Sequence, residues 1–533
     1  MLRLTLMRIR RDRITTPIWV LATALLALMS ATAIATTYGG TAEREQLVRV
    51  LTTTPALLAL RGVPDGGSVG AFSFMQVYTY LALMAGLMST FLVVRHSRRE
   101  EERGRTELLG AGAIGRATPL AAALLDALLA NVLLAAVVAL AFIAGGLDAG
   151  GSVLAGLATG GVGLASAGLA ALSAQVAPTS RSANGLAAAA VGVLWGLRAI
   201  GDAAGQRSAD GLTVTSTWPS WLSPIGWGQR TLPFSHPDAA PLLLQVALAL
   251  VTASVALVVQ GRRDLGSSLL RERSGRADGR IRSALGLAWR LHRGSIIGWG
   301  IGGAALGLLA GALASVLDSS LADQPELSSA LDTFVGRGHG TIIEEFLAVL
   351  VGLAGALAAA AGVHTIVRAR SDESDGRVEL LLASPVGRIR WIGSWLVVAA
   401  LAVAVVLTAA GAVTALSLVA AGRGDLAGGA LAAAAAQLPA AALCVGAAAV
   451  LFALVPRVSV GVSWAALGAA LLIGQFGGIL DVPDAVRDAS PFTHVPAVPL
   501  AGVDWSGAWW SAGIAIVLLA LAVVVVRQRP LAS

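Results

Sequence analysis

The chain has 533 residues, of which 56% are apolar and only 13% are charged. This composition excludes an ordinary soluble domain and predicts a membrane protein. The formal net charge is +7, and all 38 basic residues are arginine because the chain contains no lysine. The arginines flank apolar runs, which favours charge beside a membrane over a surface for nucleic acid.

The N-terminal segment carries five arginines and leads into the apolar run Ile18–Ala35. A cleaved signal peptide would look similar, but this run is long for the core of one. Its removal would also leave the first half of the chain one span short of the second half. We therefore expect the run to be retained as the first membrane span.

Five further apolar runs complete the first half of the chain. They lie at about 71–94, 118–145, 152–176, 185–203 and 242–260. Each is long enough to cross a bilayer as a helix. Between the last two runs, Trp218, Trp221 and Trp227 stand among prolines and glycines. This pattern predicts an interfacial or re-entrant element.

A basic linker at 261–294, with nine arginines, leads to a second half that repeats this organisation. Spans seven to twelve are predicted at about 295–317, 341–367, 391–420, 426–454, 458–480 and 506–526. A second segment rich in proline and tryptophan, 481–505, precedes the last span. We therefore expect two six-span halves, 1–260 and 295–533, joined by the linker.

The distribution of arginine predicts the orientation. With the N-terminus in the cytoplasm, 29 of the 38 arginines fall in cytoplasmic segments, as the positive-inside rule requires. Six spans per half is an even number, so the halves are parallel repeats. The sequence predicts an all-α polytopic membrane protein: twelve transmembrane helices form two parallel six-helix repeats with short cytoplasmic helices. Both termini are expected on the cytoplasmic side of the plasma membrane.

Two charged segments, called the islands below, form the strongest internal repeat. Island one (98–116) reads RREEERGRTELLGAGAIGR, and island two (370–388) reads RSDESDGRVELLLASPVGR. A shift of 272 residues aligns them without a gap, and ten of 19 positions are identical. Chance would give roughly one or two identities in this composition. The identical pairs include Glu101/Glu373, Gly104/Gly376, Arg105/Arg377, Glu107/Glu379, Leu108/Leu380 and Leu109/Leu381.

The islands have the spacing of a short amphipathic helix. Glu101 and Arg105 stand four residues apart with the acid first, as do Glu373 and Arg377, which favours pairing on a helix. A solvated loop would explain the charge but not its recurrence in both halves. We therefore favour a docking surface for a cytoplasmic partner with two equivalent faces.

The six-span unit with a charged cytoplasmic segment after its second span resembles the permease of type-2 ABC exporters. The fused form, with GR-x-ELL-x-A-xxx-GR in each half, resembles the actinobacterial tetronasin/polyketide-antibiotic exporter permeases, and the resemblance covers essentially the whole chain. It implies export of hydrophobic or amphiphilic, drug-like compounds. It also implies that the two islands are coupling helices for two copies of a separate ATPase, with Glu101, Gly104, Arg105, Glu107, Leu108 and Leu109 and their repeat equivalents as docking residues.

The sequence also requires that any ATPase be a separate polypeptide. A phosphate-binding P-loop needs a lysine, and this chain has none. We expect no catalytic residue, cofactor or metal in the chain itself, with ATP and Mg²⁺ bound by the partner. The six histidines are scattered, and the single cysteine, Cys444, lies in an apolar run.

Several residues within or beside the spans are weaker candidates for a substrate path. Asp126 and Asn131 lie inside span three, where a carboxylate costs about 2.5–3.5 kcal/mol and should face a partner or a cavity. A packing role for them is as well supported as a role in the path. Arg198 and Asp202, four residues apart near the outer end of span five, are expected to form a pair at the interface.

Two further groups could contribute to a path. Glu344 and Glu345, at the outer end of span eight, could attract cationic substrates, although solvation at the interface explains them better. Span two carries Phe72, Phe74, Met75 and Tyr78, which could line an apolar path or simply face lipid.

Two other classes of protein compete with an ABC permease. A secondary transporter of the major facilitator type also has twelve spans in parallel six-span repeats. Members of that family resemble one another in a short Gly-Asp-Arg-Gly-Arg pattern after the second span. This chain instead has a longer segment rich in Glu and Leu at that place. A membrane-embedded transferase should carry a repeated or clustered carboxylate at one membrane face, and the sequence contains none.

Overall fold

The computed structural model describes residues 2–37, 40–53, 55–110, 112, 115–264, 266–270, 283–323, 342–476, 483–496, 498 and 504–529. Within these ranges the chain is almost entirely helical, and the only strands contain two residues each. The chain forms two compact units, Met1–Gly275 and Arg276–Ser533. The boundary between the units falls inside the basic linker.

The described residues of unit one contain twelve α-helices. They are α1 (Leu2–Arg11), α2 (Thr15–Thr37), α3 (Thr41–Thr52), α4 (Pro55–Arg61), α5 (Val69–His96), α6 (Arg98–Glu102), α7 (Arg105–Gly110), α8 (Thr118–Ala144), α9 (Ala149–Val176), α10 (Ser180–Ala203), α11 (Pro224–Gln229) and α12 (Ala240–Arg262). Strands β1 (Gln206–Arg207) and β2 (Val214–Thr215) form a small antiparallel hairpin after α10. A 3-10 turn at Trp218–Leu222 follows the hairpin and packs on α10.

Unit two contains nine described α-helices. They are α13 (Ala284–Asp323), α14 (Ile342–Ser374), α15 (Arg377–Leu382), α16 (Arg388–Ala420), α17 (Ala427–Ala436), α18 (Leu438–Leu454), α19 (Ser459–Phe476), α20 (Asp484–Arg487) and α21 (Ser506–Gln528). Short 3-10 turns occupy Gly424–Leu426 and Pro491–His494.

The described helices confirm an all-α polytopic membrane protein. Eleven of them are long and apolar enough to cross a membrane, judged by length and composition. The predicted eleventh span corresponds to α19, whose apolar stretch Ser459–Gly474 is shorter than the others. The predicted end of that span, near residue 480, lies outside the described residues.

The structure differs from the predicted boundaries in two places. The polar segment between the first two spans contains α3 and α4, because its apolar residues, such as Val48 and Leu58, are buried. Helix α13 begins at Ala284, inside the predicted linker, and α14 continues through island two as far as Ser374. Helices α13 and α14 therefore extend beyond their apolar runs, α13 into the predicted linker and α14 into island two.

Small residues allow the helices of each unit to pack closely. In unit two, α13 lies along α16, and Gly303, Gly307 and Gly311 face it at intervals of four residues. A Cβ atom added at Gly307 would lie 2.2 Å from the carbonyl oxygen of Ala410. Thr414 donates a hydrogen bond of 3.1 Å to the carbonyl oxygen of Gly307. The Gly-xxx-Gly spacing thus brings the two backbones together, as is common between membrane helices.

Candidate functional site

Each island consists of helical segments separated by a glycine in the left-handed conformation. Gly104, with φ +67°, separates α6 from α7. Gly376, with φ +71°, separates the end of α14 from α15. Only glycine adopts this conformation without steric cost, which explains why both islands have it at the same position. The predicted short amphipathic helix is present as α7 and as α15, but it begins only after this glycine, where the chain bends.

Glu101 of island one is buried and lies between two arginines. Arg263 donates to its two carboxylate oxygens at 2.6 and 2.7 Å. Arg98 donates to it at 3.0 Å, and the amide of Gln260 at 3.1 Å. The predicted pair with Arg105 is therefore wrong.

Arg105 instead bonds to the side chain of Glu100 at 3.2 Å. The bend at Gly104 explains the change of partner, because residues four apart face each other only on a continuous helix.

Glu373 of island two has an equivalent environment. It is buried, Arg529 donates to it at 2.7 Å, and Arg370 lies 3.8 Å from it. The predicted pair between Glu373 and Arg377 is also wrong, for the same reason.

Arg377 forms ion pairs with Asp372 at 2.8 Å and Asp375 at 2.6 Å. Partial burial opposes its protonation, but these two carboxylates outweigh that effect and raise the pKa of Arg377 above its ordinary value.

The first arginine of each island reaches a second part of its unit. Arg98 donates to the carbonyl oxygen of Pro178 at 2.6 and 3.0 Å. Arg370 donates to the carbonyl oxygen of Pro456 at 3.0 Å. Pro178 and Pro456 lie in the turns before α10 and α19, the fifth predicted span of each half.

We call the group Arg98, Glu101 and Arg263 the first clamp, and Arg370, Glu373 and Arg529 the second clamp. Each clamp joins its island to the turn before the fifth span and to the end of the last span. The carboxylate supplies the charge that the two guanidinium groups need, which are buried in the first clamp and partly buried in the second.

The sequence patterns do not single out Arg263 and Arg529. Both are the first residue after the last long helix of their half. Their shared position after the last long helix could have identified them as an equivalent pair. The two residues do not, however, align at the shift of 272 that relates the islands.

The short helices α7 and α15 each bury one side and expose the other. Thr106 is 4% exposed and Val378 is 2% exposed, and these two residues are equivalent in the repeat. On the outer side, Leu108 is 78% exposed and Leu380 is 79% exposed. The flanking acids Glu107 and Glu379 and the arginines Arg105 and Arg377 are also exposed. Leu381 packs on the core of unit two, and the side chain of Leu109 lies outside the described residues.

The polar residues of span three have internal partners. Asp126 lies 3.7 Å from Arg8 of α1 and borders a cavity of about 180 Å³. The expectation that it faces a partner or a cavity is thus met. Asn131 donates to Ser89 at 2.8 Å and to the carbonyl oxygen of Ala127 at 2.8 Å. These hydrogen bonds indicate a packing role for Asn131.

Helix α1 is held against unit one by charged contacts that the sequence did not predict. Arg8 donates to the carbonyl oxygens of His96 and Pro119, each at 2.9 Å. Asp12 bonds to the ring of His96 and to Arg95. Burial opposes the ionisation of Asp12, but these two partners outweigh it and hold the pKa of Asp12 below its ordinary value.

The aromatic residues of span two face the interior of unit one. Phe72, Phe74, Met75 and Tyr78 are all buried, so the alternative that they face lipid is wrong. Phe74 stacks on Tyr78 with ring centroids 4.6 Å apart. Phe74, Met75 and Tyr78 border a cavity of about 20 Å³, which has room for a single water molecule. The path role of these residues stays a prediction.

The remaining predicted residues lie near the ends of spans. Arg198 and Asp202 form the expected ion pair at 3.1 Å, but both are fully buried rather than interfacial. The 3-10 turn covers them, and Ser220 of that turn lies against Gly201. Glu344 is partly buried, and the side chain of Glu345 lies outside the described residues. No group of three histidine, cysteine, aspartate or glutamate side chains within the described ranges could hold a metal ion.

Comparisons with known proteins agree with this architecture. Residues 281–527 match the family model "Multidrug efflux system permease Rv1217c, C-terminal domain". Over 537 aligned residues the chain is 31% identical to the multidrug efflux system permease protein Rv1217c of Mycobacterium tuberculosis. That alignment covers 98% of this chain and 93% of the relative. The chain is therefore a member of the family of multidrug efflux system permeases.

Proposed function

We propose that this chain is the membrane-spanning permease of an ATP-driven exporter of the type-2 ABC class, similar to the tetronasin/polyketide-antibiotic exporters. It moves hydrophobic or amphiphilic, drug-like compounds out of the cell. Two copies of a separate ATPase subunit, which binds ATP and Mg²⁺, dock on α7 and α15.

The exposure of Leu108 and Leu380 carries this proposal. These leucines occupy the same repeat position on two short helices, and more than three quarters of each side chain is exposed. A large apolar side chain repeated at an exposed position beside acids and arginines is typical of a contact for a partner protein. Glu107 and Glu379 precede the leucines and supply charge for the same contact.

The clamps support a transmission role for the islands. Each clamp connects its island to the turn before the fifth span and to the end of the last span. A force applied to α7 or α15 would therefore act on several membrane helices at once. The same force applied to a loosely attached loop would not act on the membrane helices.

The sequence supports a separate motor and a cytoplasmic position for the islands. A chain without lysine cannot provide the P-loop lysine that contacts ATP phosphates. The excess of arginine in the segments that include the islands favours the cytoplasmic side for both islands and both termini.

The test is co-expression with an ATPase encoded beside the permease gene, followed by measurement of the mass of the purified complex. We expect one permease chain per two ATPase subunits, and no ATP hydrolysis by the permease alone. A complex with one ATPase per permease, containing a symmetric permease dimer, would contradict the proposal.

A further inference from the structure

A groove of about 320 Å³ in unit one combines an aromatic wall with two arginines. It lies where α2 begins, α5 ends and α10 begins. Trp19, Met88 and Phe91 line its apolar side, whereas Arg95, Arg99 and Asn184 line its polar end. The rings of Trp19 and Phe91 lie 6.3 Å apart, and 41% of Phe91 is exposed.

The positive charge at the polar end of the groove is only partly compensated. Arg95 bonds to Asp12 at 2.7 Å. Within the described part of the chain, Arg99 forms no ion pair and no hydrogen bond through its side chain. It also experiences the positive charges of Arg103, Arg95 and Arg11, and the negative charge of Glu100 opposes them with a smaller effect. An anion placed beside Arg99 would relieve this repulsion.

The two arginines of the groove are not repeated in the second half of the chain. The residues 272 positions after Arg95 and Arg99 are Val367 and Ser371. Unit two therefore has the island but no arginine at these two repeat positions, so this pair of arginines is a feature of unit one.

We propose that this groove binds the phosphate headgroup of an anionic glycerophospholipid, independently of the proposed exporter function. Arg99 and Arg95 contact the phosphate, since guanidinium groups match its geometry. One acyl chain lies along Trp19 and Phe91. The groove is at the ends of three membrane helices, where aromatic and basic residues meet lipid headgroups. An organic cation would be repelled by the arginines, and a free phosphate would leave the aromatic wall uncovered.

The test compares lipid binding by the purified full-length chain and two matched variants in neutral detergent. Native mass spectrometry measures binding during titration with phosphatidylglycerol or phosphatidylcholine. Arg99→Gln removes the uncompensated charge of the groove. Arg103→Gln removes a neighbouring exposed arginine that does not line the groove and is the control. Thermal unfolding confirms that each variant is folded.

We expect the chain to prefer phosphatidylglycerol and Arg99→Gln to weaken that binding about tenfold, which corresponds to one charge-assisted contact. Arg103→Gln should leave it unchanged. Phe91→Ala tests the aromatic wall without altering charge and should weaken phosphatidylglycerol binding as well. Equal losses in both arginine variants would indicate general attraction and overturn the proposal. Displacement of the lipid by inorganic phosphate at the same concentration would indicate a free-anion site and overturn it too.

Discussion

Arg263 donates hydrogen bonds to both carboxylate oxygens of Glu101, at 2.6 and 2.7 Å. This contact joins the end of the last long helix of unit one to the island that follows the second span. Arg529 makes the corresponding bond to Glu373 in unit two. In each half, the island thus places a buried glutamate between two arginines.

Neutralising a clamp should destabilise its unit. Glu101→Gln leaves the buried guanidinium groups of Arg98 and Arg263 without an anionic partner. Loss of one member of a buried ion pair costs about 3–5 kcal/mol, so we expect a clear drop in the thermal unfolding midpoint in detergent. Glu107→Gln, at an exposed position of the same island, is the control. Equal midpoints for the two variants would contradict a structural role for Glu101.

Charge reversal on the outer side of α7 and α15 should affect the ATPase rather than the fold. Glu107→Arg and Glu379→Arg should each weaken ATPase binding, or uncouple hydrolysis from transport. Their cost in stability should stay below about 0.5 kcal/mol because both positions are exposed. The measurement is pull-down of the ATPase together with substrate-stimulated hydrolysis in reconstituted membranes.

The double variant should deviate from additivity if one closing motor presses both sites. Asp126→Asn, at a buried position, should leave ATPase binding intact. If both charge reversals, single and combined, bind and stimulate as the natural chain does, the islands are not docking sites.

Single cysteines can test the orientation of the chain, because Cys444 is its only cysteine and is buried. In a Cys444→Ala background, cysteines replacing the exposed Glu107 and Glu379 should react only with reagents that reach the cytoplasm. Cysteines at the exposed Ala209 and Ala421 should react in intact cells with a reagent that cannot cross the membrane. Labelling of the cysteine at position 107 from outside would refute the cytoplasmic position of island one.

The glycine contact between α13 and α16 should tolerate no side chain. Gly307→Ala places a methyl group 2.2 Å from the carbonyl oxygen of Ala410 and should cost about 1–3 kcal/mol through overpacking. Gly298→Ala, on the same helix but with nothing within 4 Å of the added atom, should be neutral or slightly stabilising. Monodispersity in detergent and the unfolding midpoint measure the difference. Equal behaviour would mean that the helices separate at little cost.

The sequence by itself determined the class of the protein and its duplicated plan. Apolar runs of sufficient length predict membrane helices because a bilayer requires every backbone polar group to be satisfied within the segment. The ungapped repeat of the islands is enough to identify which positions of the two islands are equivalent. The spacing of Arg198 and Asp202 likewise predicted their ion pair, since residues four apart meet on a continuous helix.

Only the tertiary structure decided the partners of the charged residues in the islands. Helical spacing assigned Glu101 to Arg105, but the left-handed Gly104 turns α7 away, and Arg263, which is 162 residues distant, takes that place. The burial of Glu101 and the exposure of Leu108 depend on which side of a short helix meets the membrane helices. That choice is made by packing between distant segments of the chain, which no local sequence pattern records.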